Sequence, residues 1–226
     1  MMSSKPINAY LLSDRLRMME SQSPNLSFKS LACIVSFWLG FVLFLVAFSS
    51  SEWFGIENGI TVSLWQKCSQ NFKTSIWSCE YWEDKLPDFI RAGQGFCIVG
   101  LLTYVIAAVI IISYIFIRQL QETRALIIAL CLLIFSAGCM TIMASIVVGV
   151  KGGDFCYDIK RDRRKLFDYF IAGVDASGKF SVGWSFIVAI LSAITTLVSF
   201  TFCMLEFFRV NAMTLSEPLN HHISIF

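Results

Sequence analysis

Four long runs without a charge constrain this chain more than any other feature. There are 22 uncharged residues between Lys29 and Glu52, 26 between Arg91 and Arg118, 26 between Arg124 and Lys151, and 26 between Lys179 and Glu206. A helix rising ~1.5 Å per residue needs roughly 20 apolar residues to cross a ~30 Å hydrocarbon layer. Backbone groups in hydrocarbon must be satisfied within their own segment, so such runs are helices rather than strands. They predict an all-α transmembrane chain with spans near 30–50, 92–117, 125–150 and 181–206. Composition agrees, with 56% of the 226 residues apolar and 15% charged, against ~25% charged in soluble domains. Even a ~300-residue soluble domain leaves about a quarter of its unfolded surface exposed, so one core cannot hide this much apolar surface. An ordinary soluble enzyme, a disordered chain and a nucleic-acid binder are excluded. The net charge of +2 gives no reason to expect a polyanion partner.

The spans divide the chain into a tail (1–29), one membrane domain (30–206) and a second tail (207–226). The first run is too long for a signal-peptide core and follows a 29-residue polar tail, so it is read as a retained span. The loop from Arg118 to Arg124 is short and makes the second and third helices an antiparallel hairpin. The loops at 51–91 and 151–180 are large enough to fold, and four spans put both on one side, opposite both termini. Cation counts alone would put the termini outside. The tails and short loop carry seven (Lys5, Arg15, Arg17, Lys29, Arg118, Arg124, Arg209), and the large loops carry eleven. Lys29, Arg17 and Arg15 flank the first helix on its N-terminal side, whereas the nearest cation after it is Lys67. This favours cytoplasmic termini, in a multi-pass plasma-membrane protein.

Cysteine placement supports that orientation. Of eight Cys, five (Cys33, Cys97, Cys131, Cys139, Cys203) fall in the predicted spans and are read as small apolar packing residues. Cys68 and Cys79 lie eleven residues apart in a Trp-rich loop. That suits a disulfide, which persists on the oxidising face of a membrane. Cys156 is left as a free thiol, an intermolecular bridge, or a partner for Cys97.

The first large loop carries the most local pattern. Asn58-Gly59 is a turn dipeptide, followed by alternation through Ile60, Val62 and Leu64, and Ile76-Trp77 precede Cys79. A small sheet stapled by one bridge is expected, with Trp53 and Trp65 covering its face or sitting at the membrane interface. Trp53, Leu64-Trp65, Cys68, Cys79 and Arg91, in that order, resemble the signature of the claudin superfamily. The gap from Trp53 to Leu64-Trp65, with Asn-Gly inside it, is most similar to the peripheral myelin and epithelial membrane protein branch. Gly183-Trp184-Ser185-Phe186 is similar to the start of the last helix in several branches, including calcium-channel gamma subunits. The chain departs from the pattern at Ser63, where many members have Gly or Asn, and at Lys67, where the myelin branch has a glycosylated Asn. The sequon at Asn25-Leu26-Ser27 falls on the predicted inner face, where it would be unused.

The resemblance implies a left-handed four-helix bundle topped by a small extracellular sheet, and no enzyme or cofactor. It implies two roles. One is structural, at cell contacts or junctions, where the sheet binds copies of itself or related four-span proteins in cis or trans. The other is an auxiliary subunit for a channel or receptor in the same membrane. It also makes Glu80 a candidate lining of a cation-selective paracellular path, beside the plainer reading of a solvated loop surface. Small residues share one face of the third helix (Gly138, Thr141, Ser145, Gly149) and of the fourth (Ser185, Ala189, Ala193, Thr196), as close packing in lipid requires. No charge or His lies within the apolar runs, which argues against transport through the bundle, and no catalytic, metal or phosphate-binding motif is present. The Lys160–Lys165 run, broken by Asp162, reads as a solvated face. The ending Ser224-Ile225-Phe226 fits a PDZ ligand, making a PDZ protein a candidate partner beside membrane lipids. Leu12, Leu16 and Met19 fall on one helical face of the N-terminal tail, which reads either as a helix lying on the inner leaflet or as a disordered segment.

Overall fold

The fold is seen in a computed structural model, which describes residues 28–57, 59–71, 76–82, 86–117, 123–161, 170 and 179–223. The N-terminal amphipathic stretch, the sequon, most of the Lys160–Lys165 run and the Ser224–Phe226 tail lie outside the described residues. The elements, in order, are α1 (Phe28–Ser49), β1 (Phe54–Ile56), β2 (Ile60–Val62), β3 (Gln66–Gln70), β4 (Trp77–Tyr81), α2 (Asp88–Phe116), α3 (Arg124–Arg161), β5 (Phe180–Val182) and α4 (Trp184–Ile223). All four helices are long and apolar enough to cross a membrane. The chain therefore has the build of a multi-pass membrane protein with a small five-stranded sheet at one end.

Burial in every helix follows a seven-residue repeat. In α1 the buried positions are Ser30, Cys33, Phe37, Gly40, Phe44 and Ala47. In α2 they include Ile90, Gly93, Cys97, Gly100, Tyr104, Ala107 and Ile111. In α3 they include Ile127, Leu130, Ile134, Ala137, Thr141, Ala144 and Val148, and in α4 Ser185, Ala189, Ser192, Thr196, Ser199, Cys203 and Glu206. A spacing alternating between three and four keeps one seam facing a neighbour, as in left-handed knobs-into-holes packing. α1 packs along α4, α4 along α3, and α3 along α2. Between α1 and α2 the space is filled by rings: Tyr104 lies 5.3 Å from Phe41, 4.9 Å from Phe44 and 5.8 Å from Phe37, centroid to centroid.

Polar groups tie the seams. The Ser192 hydroxyl donates to the Gly40 carbonyl (2.8 Å), and the Ser199 hydroxyl to the Cys33 carbonyl (2.9 Å), joining α4 to α1. The Tyr104 hydroxyl lies 2.6 Å from Thr196 Oγ1, joining α2 to α4. Such bonds act as interhelical glue where lipid competes equally for apolar surface. The expected small-residue stripes do pack inside the molecule. A Cβ on Gly149 would stand 2.8 Å from the Phe186 ring, and one on Gly138 would stand 3.5 Å from Leu197. Ser145 bonds back to the Thr141 carbonyl, and Ala189 and Ala193 are buried.

Two boundaries differ from the charge-based expectation. α3 does not stop near 150 but runs to Arg161, which shortens the expected 151–180 loop. Charges mark the end of an apolar run, not the end of a helix. Beyond Lys151 the helix becomes amphipathic, with Gly152, Cys156 and Ile159 buried and a Lys151–Asp154 pair (3.4 Å) outside. Gly152 lies against the Phe54 ring and Phe155 against Phe89, so this extension supports the sheet. α4 likewise continues past 206 into the expected tail. Within it the buried Glu206 (4% exposed) is paired with the part-exposed Arg209 at the end of the bundle remote from the sheet.

Candidate functional site

The sheet is antiparallel throughout, in the order β4-β3-β2-β1-β5. Four strands come from the first large loop, as expected, and the fifth from the second. β1 is wholly buried and β4 wholly exposed. β4 pairs with β3 on one side, and no described strand lies on its other side. Trp77 (47% exposed), Tyr81 (74%) and the preceding Ile76 (65%) therefore stand at an open edge.

Five of the six signature residues converge on the seating of this sheet. The last four carbonyls of a helix have no intrahelical partner, and inside a membrane boundary water does not readily serve them. Two indoles do so for α1. Trp53 Nε1 donates to the Ala47 carbonyl (3.0 Å), and Trp65 Nε1 donates to the Phe48 carbonyl (2.7 Å). Trp53 is 1% exposed, so it is buried under the sheet rather than spread along the interface. Leu64 is fully buried, and its carbonyl accepts from Gln94 Nε2 of α2 (2.6 Å). Cys68 and Cys79 face each other across β3 and β4 and are joined by a disulfide (S–S 2.05 Å). Arg91 stands apart, largely exposed, 3.9 Å from Asp88 on its own helix.

Sequence reasoning named two further residues but missed what they do. Ser63, noted only as a departure, is fully buried. Its hydroxyl accepts from the Trp65 and Gln66 amides and donates to the Gln66 carbonyl, closing the turn between β2 and β3. Its carbonyl accepts from Trp82 Nε1 (3.1 Å). A Ser two or three residues before the amides it caps is a recognisable turn signal. Gly183 brings the second loop in. Its amide donates to the Trp53 carbonyl (2.9 Å), and a Cβ there would fall 1.9 Å from the Glu52 carbonyl oxygen. Only glycine permits that approach.

Lys67 and Glu80 are cross-strand partners with side chains 3.8 Å apart, and the Lys67 ammonium also lies 5.6 Å from the Trp82 ring. Cys156 and Cys97 are both buried and neither is in a disulfide, so the bridge considered between them is not formed. Among the described residues no group of three or more His, Cys, Asp or Glu side chains is arranged to hold a metal ion. Along α3 and α4 an apolar groove of about 470 Å³ opens on the outside of the bundle, lined in part by Ser145, Gly149 and Ala193. No family model matches this sequence, and no curated protein matches it.

Proposed function

We propose that this chain is a claudin-like four-span protein of the plasma membrane that acts at cell contacts, through the open edge of its extracellular sheet. The observation that carries the reading is β4, a fully exposed edge strand bearing Trp77 and Tyr81. An edge presents unpaired N–H and C=O groups to another strand, and exposed aromatics beside it add apolar area. The use of Trp53, Leu64, Trp65, Cys68 and Cys79 to seat and staple the sheet supports the family resemblance. In this reading the termini are cytoplasmic, and the partners are further copies or related four-span proteins.

The test is a cell-mixing assay with two differently coloured cytoplasmic tags. Enrichment only at borders where both cells express the protein is expected, and it should fall when Trp77→Arg is introduced in both populations. Uniform signal along all borders would remove homotypic adhesion. The groove on α3 and α4 favours a second reading, an auxiliary subunit that seats a transmembrane helix of a channel or receptor there. Co-purification of such a partner, lost on Gly149→Leu, would support it.

A further inference from the structure

At the end of the bundle remote from the sheet, three thiols from three helices meet. Cys33 of α1, Cys131 of α3 and Cys203 of α4 are each 3–5% exposed. Cys131 Sγ lies 2.6 Å from Cys203 Sγ, far inside ordinary contact for two sulfur atoms and a short step from a bond. Cys33 Sγ lies 3.5 Å from Ser199 Oγ and also neighbours Cys203.

An independent feature points at the same place. Glu206 sits one helical turn beyond Cys203, on the same face of α4. It is 4% exposed, its Oε1 is paired with Arg209, and its buried Oε2 has no hydrogen-bond partner. Cys33, Cys203, Glu206, Ser30 and Tyr114 line one cavity of about 30 Å³. That is more than the ~10–15 Å³ a single water needs, and admits a molecule of two oxygen atoms such as hydrogen peroxide. A metal centre does not fit the sulfur spacing. Thiolates at ~2.3 Å around a tetrahedral ion stand well over 3 Å from one another.

We propose that Cys131 and Cys203 form an oxidisable pair, converted by hydrogen peroxide into a disulfide that ties α3 to α4. Cys203 lines the cavity and reacts first. Its S–H proton passes to Glu206 Oε2, and the sulfur attacks one peroxide oxygen. An S–O bond forms, the O–O bond breaks, and the leaving hydroxide takes the proton back as water. Cys131 Sγ then attacks the sulfenic sulfur. The S–S bond forms, the S–O bond breaks, and hydroxide departs with the Cys131 proton as a second water. Two thiols are oxidised by two electrons and one peroxide is reduced to two waters. Burial alone makes a thiol inert; the neighbouring carboxylate and the peroxide-sized cavity distinguish Cys203 from buried Cys97, which has neither.

The experiment counts thiols in the full-length protein in native membranes. After peroxide treatment the protein is denatured, alkylated with a polyethylene-glycol maleimide and sized on a gel. Six tags are expected before treatment, from the six free cysteines, and four after it. Peptide mapping should return a Cys131–Cys203 link, and full reduction should bring treated and untreated protein alike to eight tags, because it also opens Cys68–Cys79. Cys203→Ala should show five tags with or without peroxide, Cys131→Ala should fall from five to four as Cys203 stops at the sulfenic acid, and Cys33→Ala should still lose two. Glu206→Gln should slow the loss at least tenfold. Six tags throughout on wild-type protein, or a mapped link that omits Cys131 and Cys203, overturns the proposal without recourse to any variant.

Discussion

At the residue scale, Trp53 does two jobs that no smaller residue combines. Its ring is buried between the end of α1 and Phe186, with centroids 6.4 Å apart, and its indole N–H serves the Ala47 carbonyl. Trp53→Phe keeps most of the apolar contact and leaves that carbonyl without its indole donor. The expected loss is about 1–3 kcal/mol, read as a lower melting temperature of detergent-solubilised protein and a reduced surface level. An unchanged melt would show that the indole bond contributes nothing. Gly183→Ala forces a methyl into the Glu52 carbonyl. A flexible side chain could yield, but this neighbour is backbone, so β5 must separate from β1. Proteolysis within the second loop should speed up severalfold in this variant while helix insertion stays normal.

At the element scale, the sheet depends on its staple. A sheet with strands of three to five residues has little independent stability, and the eleven-residue Cys68–Cys79 link contributes about 2–3 kcal/mol in the chain-entropy account. Cys68→Ser and Cys79→Ser should each be retained before the cell surface. Normal surface biotinylation of both would remove the staple from the account. The staple was legible in the sequence, because a Cys pair in a Trp-rich loop after a first helix has few other uses. The helix seams were legible only in part: the stripe Ser185, Ala189, Ala193 and Thr196 was expected as a packing face, but not the fuller seam through Ser192 and Ser199. Ser185, Ala189, Ser192, Thr196, Ser199 and Cys203 recur at three and four residues, but hydrophobic periodicity looks for apolar residues facing inward. In lipid the apolar side faces out, as Ile187, Ile190, Leu191, Ile194 and Val198 do here, and the inward seam is small and polar. The α3 extension was hidden for a related reason: its buried face, Gly152, Cys156 and Ile159, is interrupted by charges that end an apolar run but suit an amphipathic helix.

At the scale of the whole molecule, the bundle and the sheet are one assembly. Ala144 is fully buried near the middle of the α3 span. Ala144→Asp should cost roughly 2.5–3.5 kcal/mol on an insertion scale, and a glycosylation-mapping reporter placed after α3 should show a fraction of chains with the wrong topology. Full insertion and normal surface expression would count against this span. The four apolar runs made the spanning helices legible at once. The way the sheet closes was not, because β5 has only three residues, Phe180–Val182, and its partner lies far upstream in the chain.

That closure has a consequence for how the protein is made. β1 through β4 emerge from the ribosome together, right after α1, whereas β5 follows only when α2 and α3 have already been synthesised. Synthesis runs from the N-terminus, so the nascent sheet waits with the outer edge of β1 bare, and a bare edge is a template for the wrong strand. Translation of Phe180–Val182 and Gly183 brings in the strand that covers it. The β1–β5 seam thus closes only after α2 and α3 have been made. A chain stalled or cut before β5 would keep that edge uncovered.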